Sequence, residues 1–282
     1  MHISALDHIV LNVADVERSL QFYQGTLGLS AERVEEWRRG TLPFPSLRIN
    51  DATLIDLVAS SSRAVDGTTN LNLNHFCLVT DDLDLTAIGE TLASAGVAIE
   101  SGPVIRSGAR GDALSIYVRD PDHNQIEVRT YARRPLVRTA LEQARSSVAA
   151  AIDAMQTPDA PLAGNEAWSQ RDLIAHLTSI QGWFRSQFDS AGTPPLESVQ
   201  DFNDRAVPQR RTWSLQQLRD ELEQETAALL ALLEKLDEPA LERVVQQPGR
   251  PPRKVSERWM LLYSHARGHL AELNTAAGDV PH

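Results

Sequence analysis

His8 and His75 stand 67 positions apart, and Asp15 and Asp82 share that offset. The same order of elements recurs around both pairs, so the first half of the chain is an internal duplication that folds as two copies of one unit. In the first copy LDHIVLNV (residues 6–13) reads as a strand. Asp15 follows as an N-cap, and Val16, Leu20, Tyr23 and Leu27 fall at helical spacing until Gly28 stops the helix. Three strand-like segments come next, AERVEEW, PSLRIN and TLIDLVAS, with Asn50-Asp51 as the turn between the last two. The second copy restarts at NHFCLV. It takes Asp82 as N-cap, carries Leu83, Ala87, Leu92 and Ala95 on a helix ended by Gly96, and supplies strands near residues 97–100, 113–118 and 125–131. Each copy is a βαβββ module.

Each module closes on a carboxylate between apolar residues: Asp56 between Ile55 and Leu57, Glu127 between Ile126 and Val128. Alternation points Glu127, with Gln125 and Arg129, to the face opposite Ile126 and Val128, where a carboxylate is either solvated or held by a cation. The preceding turn, Asp120-Pro121-Asp122-His123-Asn124, is dense in turn formers. Pairing the modules carries His8, His75, Asp56 and Glu127 toward one pseudo-twofold axis. Imidazole and carboxylate together suit a divalent Ni, Zn, Mn, Co or Fe ion. Cys77 points to the same face as His75 and reads as a small buried apolar residue. The loop at residues 106–111 reads as flexible and basic, with Arg110 a candidate clamp for an anionic substrate group.

Beyond the linker Ala132-Arg133-Arg134-Pro135 the period changes from two to helical. Leu141, Ala144, Val148, Ala151, Ile152 and Met155 form one stripe. Ser169 opens a second helix as a capping box with Asp172, and Leu173, His176, Leu177, Ile180 and Phe184 share its inner face. Residues 189–212 read as a long polar connection. Ser214 caps a third helix, the loop at 247–254 is basic and stiff, and a last helix runs from about 256 to 277 with Gly278 as its stop. This is a four-helix bundle. His265 and His269 are four apart on the last helix and stack on one face. With His176 they bring three imidazoles together, a set suited to Zn or Ni.

The fold class is therefore α+β: paired βαβββ modules over residues 1–132, then an all-α four-helix bundle over 136–279. A formal net charge of -11 argues against nucleic-acid binding and against an anionic membrane. The single cysteine excludes an internal disulfide and fits a cytoplasmic setting, and no apolar run or leader-like start points to a membrane.

Through DHIVLNVADVERSLQFYQGTLGL, NHFCLV and DPDHNQIEV, the first half resembles the vicinal oxygen chelate superfamily of glyoxalases, fosfomycin-resistance transferases, extradiol dioxygenases and bleomycin-resistance proteins. The resemblance implies His8, His75 and Glu127 as metal ligands, with Glu127 also catalytic. It puts Asp56 where glyoxalases place a fourth, longer ligand, and His123 where the turn usually has Gly. It also implies a homodimer. Through Trp168-Ser169, DLIAHL and HARGHL the second half resembles the DinB-like bundles, which include the metal-binding domain of mycothiol-dependent maleylpyruvate isomerase. That implies His176, His265 and His269 as ligands and mycothiol or bacillithiol as co-substrate. The expected function is a glyoxalase-type metalloenzyme acting on a small electrophile or its thiol adduct. An Fe(II) extradiol dioxygenase and a non-enzymatic drug-binding protein are the alternatives.

Overall fold

The computed structural model describes residues 1–59, 73–119, 124–162, 165–189, 198–246 and 251–276. The chain divides into two compact units, Met1–Leu136 and Val137–His282. The expected turn residues Asp120 to His123, the tip of the basic loop at 247–250 and the stop at Gly278 lie outside the described residues.

In the first unit β1 (Ile3–Val13) leads into α1 (Val16–Leu20), which continues as a wider π-helical turn over Gln21–Thr26. Asp15 caps α1, its Oδ1 accepting from the Arg18 amide at 2.9 Å. Then come β2 (Ser30–Glu32), α2 (Val34–Arg38), β3 (Ser46–Asn50) and β4 (Thr53–Ala59). The second copy supplies β5 (Leu73–Thr80), α3 (Leu85–Ser94), β6 (Ile99–Arg106), β7 (Ala113–Arg119) and β8 (Gln125–Thr130). All eight strands make one sheet in the order β2-β3-β4-β1-β5-β8-β7-β6. The copies join edge to edge through the antiparallel pairing of β1 with β5, while β1–β4 and β5–β8 run parallel. The duplication extends to the register: Asp56 lies opposite Val10, and Glu127 opposite Cys77, the residue 67 positions after Val10.

Two expectations need correction here. The segment AERVEEW is not one strand. Arg33 adopts a left-handed φ of 61°, which ends β2, and Val34 and Trp37 then pack on the core at helical spacing. The second helix is capped by Asp84 rather than Asp82. Burying Leu85 and Ile88 sets the helix two residues later, and Asp82 accepts instead from the backbone of His2.

The second unit is built on four long helices: α4 (Arg133–Ala154), α5 (Gln170–Asp189), α7 (Leu215–Leu233) and α9 (Val255–Ala276). A two-stranded ribbon of β9 (Pro161–Leu162) and β10 (Asn165–Ser169) precedes α5. Ser169 and Asp172 form the reciprocal capping box at its start. From Asp172 to Gln181 every residue of α5 is buried, as expected of a central helix rather than a surface one. Its polar side chains are satisfied from neighbours: Thr178 bonds Glu221 and Gln181 accepts from Thr226. The connection after α5 is not loop throughout. Ser198 caps α6 (Val199–Gln209), which buries Ala206 and Val207, and its polar surface hid that narrow apolar stripe in the sequence. A short α8 (Glu238–Glu242) and a second ribbon, β11 (Val244–Val245) with β12 (Arg253–Lys254), lead into α9.

Candidate metal centres

The first centre straddles β1, β5 and β8. His8 Nε2, His75 Nε2 and Glu127 Oε2 form a triangle whose three edges are all 3.2 Å. Three donors about 2.1 Å from one ion span roughly 3.0–3.4 Å between right-angled and tetrahedral arrangements. The triangle therefore fits a divalent ion.

The same local device delivers both histidines. In the β1–β5 ladder Leu6 faces Leu78 and His8 faces Cys77, so Asp7 is an extra, bulged residue; on β5 the extra residue is Asn74. Each bulged residue turns its side chain to the following histidine. Asp7 Oδ1 takes His8 Nδ1 at 2.8 Å, and Asn74 Oδ1 takes His75 Nδ1 at 2.9 Å. Both bonds fix the ring with Nδ1 toward the bulged side chain and Nε2 toward the centre, where loss of the Nε2 proton would present a lone pair to an ion. Sequence reading passed over this pair, although an Asx directly before each repeated histidine is visible there.

Glu127 is 1% exposed and Arg129, two residues on, is fully buried. Glu127 Oε1 accepts from Ser115 Oγ at 2.5 Å and from Arg129 Nη2 at 2.8 Å, leaving Oε2 to the centre. Arg129 also donates to Asp7, to Tyr131 Oη and to the carbonyl of Ser107, and Tyr131 Oη bonds Asp7 Oδ2. Burial works against the charge on Glu127, but bonds from His75, His8 and Arg129 hold its carboxyl well below the usual range. Burial also opposes protonation of His8, yet Asp7 and Glu127 outweigh it and raise its pKa to about 9.

Asp56 does not join this cluster. It occupies the matching register position in the first module but is bound there by Arg33 and Ser46. Cys77 is fully buried, and burial pushes its thiol well above the ordinary value, so it stays a protonated core residue. Arg110 is exposed and stacks on the Tyr131 ring at 4.7 Å. The loop that carries it is pinned rather than free: the Ala109 amide donates to Asp7 and its carbonyl accepts from Arg48. A Cβ on Gly108 would lie 1.3 Å from Arg129 Nη1, whose side chain has no room to retreat. Gly108→Ala is expected to destabilise the first unit by at least about 2 kcal/mol. Thermal unfolding of the metal-free protein measures this, and an unchanged transition would contradict the packing.

The second centre lies in the bundle. His176 Nε2 and His265 Nε2 are 3.0 Å apart, and the His269 ring lies 5.2 and 4.6 Å from theirs. One donor atom from each of the three falls within 4.8 Å of the others. Asn203, on α6, takes His176 Nδ1 at 2.9 Å and so turns Nε2 inward, the role Asp7 and Asn74 play in the first centre. Trp168 packs 5.3 Å from the His176 ring. Nδ1 of His269 is buried without a hydrogen bond, although Glu272 Oε1 approaches to 3.1 Å. Burial lowers His176 and His265 to about 4, with repulsion inside the cluster adding to it, so both are neutral at pH 7. His176 and His265, neutral and packed with His269 so that one nitrogen of each lies close to the others, fit a divalent ion.

The family described as Glyoxalase/Bleomycin resistance protein/Dioxygenase superfamily matches residues 5–128, and Mycothiol-S-transferase matches residues 136–271. The chain joins a member of the first family to a domain of the second. Its similarity to curated proteins includes Virulence protein STM3117 of Salmonella typhimurium, 36% identical over 132 residues, covering 46% of this chain and 87% of that one. The glyoxalase domain-containing protein RDO1 of Mycosarcoma maydis is 33% identical over 131 residues, covering 46% and 70%. Lactoylglutathione lyase of Haemophilus influenzae is 27% identical over 129 residues, covering 43% and 87%. Among the described residues, no helix is long and apolar enough to cross a membrane.

Proposed function

We propose that the chain is a divalent-metal-dependent enzyme that acts on a small electrophile, or on its adduct with a low-molecular-weight thiol, by isomerisation, lysis or thiol transfer. One observation carries this reading: a two-histidine, one-carboxylate cluster and a three-histidine cluster stand in the same chain. Bound there, a divalent ion would polarise a substrate carbonyl in the glyoxalase domain and lower the pKa of a thiol in the bundle. His8, His75 and Glu127 would hold the first ion, and His176, His265 and His269 the second. In the first centre Asp7 and Asn74 orient the imidazoles, Glu127 presents one oxygen, and Tyr117 lies 5.8 Å from His75. In the bundle three imidazoles contribute no negative charge, which favours an anionic partner such as the thiolate of mycothiol or bacillithiol. The family match of residues 136–271 supports that choice. We take the chain to act as a homodimer, as superfamily members often do, and a monomeric mass by light scattering would refute this.

A second reading is favoured by the position of Asp56. With Asp56 held by Arg33 and Ser46, the first centre keeps two histidines and one carboxylate, the ligand set of Fe(II) oxygenases. Elemental analysis of the full chain, purified anaerobically without a metal-affinity tag, tests both. Calorimetry with mycothiol in buffers of different ionisation enthalpy completes the test. The leading reading expects one metal per cluster and proton release on thiol binding. Iron with no thiol interaction would favour the dioxygenase, and no metal at all would overturn both.

A further inference from the structure

We propose that Ser115 and Arg129 are positioning residues that restrict Glu127 to ligation through a single oxygen, which keeps coordination positions open for a chelating substrate. The inference rests on the first-centre reading above and adds what sets the number of open positions. A glutamate can offer an ion both oxygens or one. Here the choice is made from behind: Oε1 accepts from Ser115 Oγ and Arg129 Nη2, at 2.5 and 2.8 Å, while Oε2 alone stands 3.2 Å from both imidazole nitrogens. These two donors are themselves fixed. Ser115 and Arg129 are fully buried, face each other across the β7–β8 ladder, and share a bond from Arg129 Nε to Ser115 Oγ at 3.3 Å. The rest of the guanidinium is spent on Asp7, Tyr131 and the carbonyls of Arg106 and Ser107. Because Asp7 also holds His8, Arg129 touches the supports of two of the three ligands at once.

Arginine suits this place because its planar fork reaches several acceptors in fixed directions, which a lysine ammonium does not. If Oε1 is released, the carboxylate can rotate so that both oxygens face the ion, and one substrate position closes. Loss of such outer-shell partners typically weakens metal binding by about 10- to 100-fold.

The test uses the full chain with His176→Ala and His269→Ala silencing the bundle centre, titrated with Co(II). Its visible absorption intensity reports coordination number and its titration reports affinity. Ser115→Ala removes one donor at little cost in volume, and Arg129→Lys keeps the charge but not the fork. The expected result is weaker Co(II) binding in both variants, by about tenfold or more, with reduced visible absorption as coordination number rises. Ser115→Ala also serves if Arg129→Lys fails to fold. Affinity and spectrum matching the background protein in Ser115→Ala overturn the positioning role and leave the centre standing. Failure of the background protein itself to bind Co(II) removes the centre, and this inference with it.

Discussion

Replacing His75 by alanine is expected to empty the first centre and leave the fold standing, whereas replacing Glu127 by alanine is expected to damage both. The His75 side chain is 14% exposed, and its partner Asn74 keeps a second bond to Asn12. Its loss removes one ligand of three, so metal affinity should fall by more than the roughly 100-fold upper range of an outer-shell change. Glu127 is different because Arg129 is buried against it. Truncation would leave a buried guanidinium short of a partner, at a cost of about 3–5 kcal/mol. Glu127→Gln is the cleaner variant, since its amide oxygen still accepts from Ser115 and Arg129 while the ligand charge is gone. Asp56→Ala is expected to leave metal content unchanged, because Asp56 is engaged by Arg33 and Ser46. Metal stoichiometry of the full chain, with the bundle centre silenced by His176→Ala, measures all three. Full retention in His75→Ala would dismiss the centre, and loss in Asp56→Ala would restore that residue as a ligand.

Acid is expected to unfold the metal-free bundle, and alkali to loosen the first unit. His176 and His265 sit at about 4 in the folded bundle, against about 6.5 in an unfolded chain. Above 6.5 both states are neutral and stability is flat. Between 6.5 and 4 the unfolded chain takes up protons that the fold refuses, so stability falls as pH drops, and below 4 it levels off. Two such groups amount to several kcal/mol, since each pKa unit is worth about 1.4 kcal/mol. His8 has the opposite sign. Raised to about 9, it contributes stability that is complete below about 6.5 and lost as pH rises through 9. Trp168, Trp183, Trp213 and Trp259 lie in the bundle and Trp37 in the first unit, so tryptophan fluorescence follows mainly the bundle. Urea midpoints of the metal-free chain at pH 4.5 and 7.5 should differ sharply by this signal. Equal midpoints would mean that the three histidines are not packed together. Metal loading of the first centre should release a proton from His8 below pH 9, and calorimetry in two buffers measures it.

The duplication and the residues of the two clusters are legible in the sequence because they are local or periodic. A 67-residue offset locates both histidines, and period-two alternation aims Glu127. What supports them was hidden because its partners are distant in the chain. Asp7 meets Arg129 and Tyr131 across more than a hundred residues, and Ser115 meets Glu127 from the neighbouring strand. A buried arginine reads in sequence as a solvated one, so Arg129 carried no signal of its own. Asn203 was lost for another reason: α6 is mostly polar, and its two buried residues, Ala206 and Val207, are too few for a periodic stripe. At Val34 the sequence reads as strand where the chain forms a helix, because Val34 and Trp37 fit both periods over so short a run.

The antiparallel seam between β1 and β5 carries one histidine on each side. A slip of one residue along that seam would turn a histidine to the far face of the sheet and dissolve the triangle. An ion held by both strands would therefore act as a rivet through the joint of the two copies. Its retention would report that the halves have closed in alignment, and a force pulling them apart would then meet the ion before it could unzip the strands.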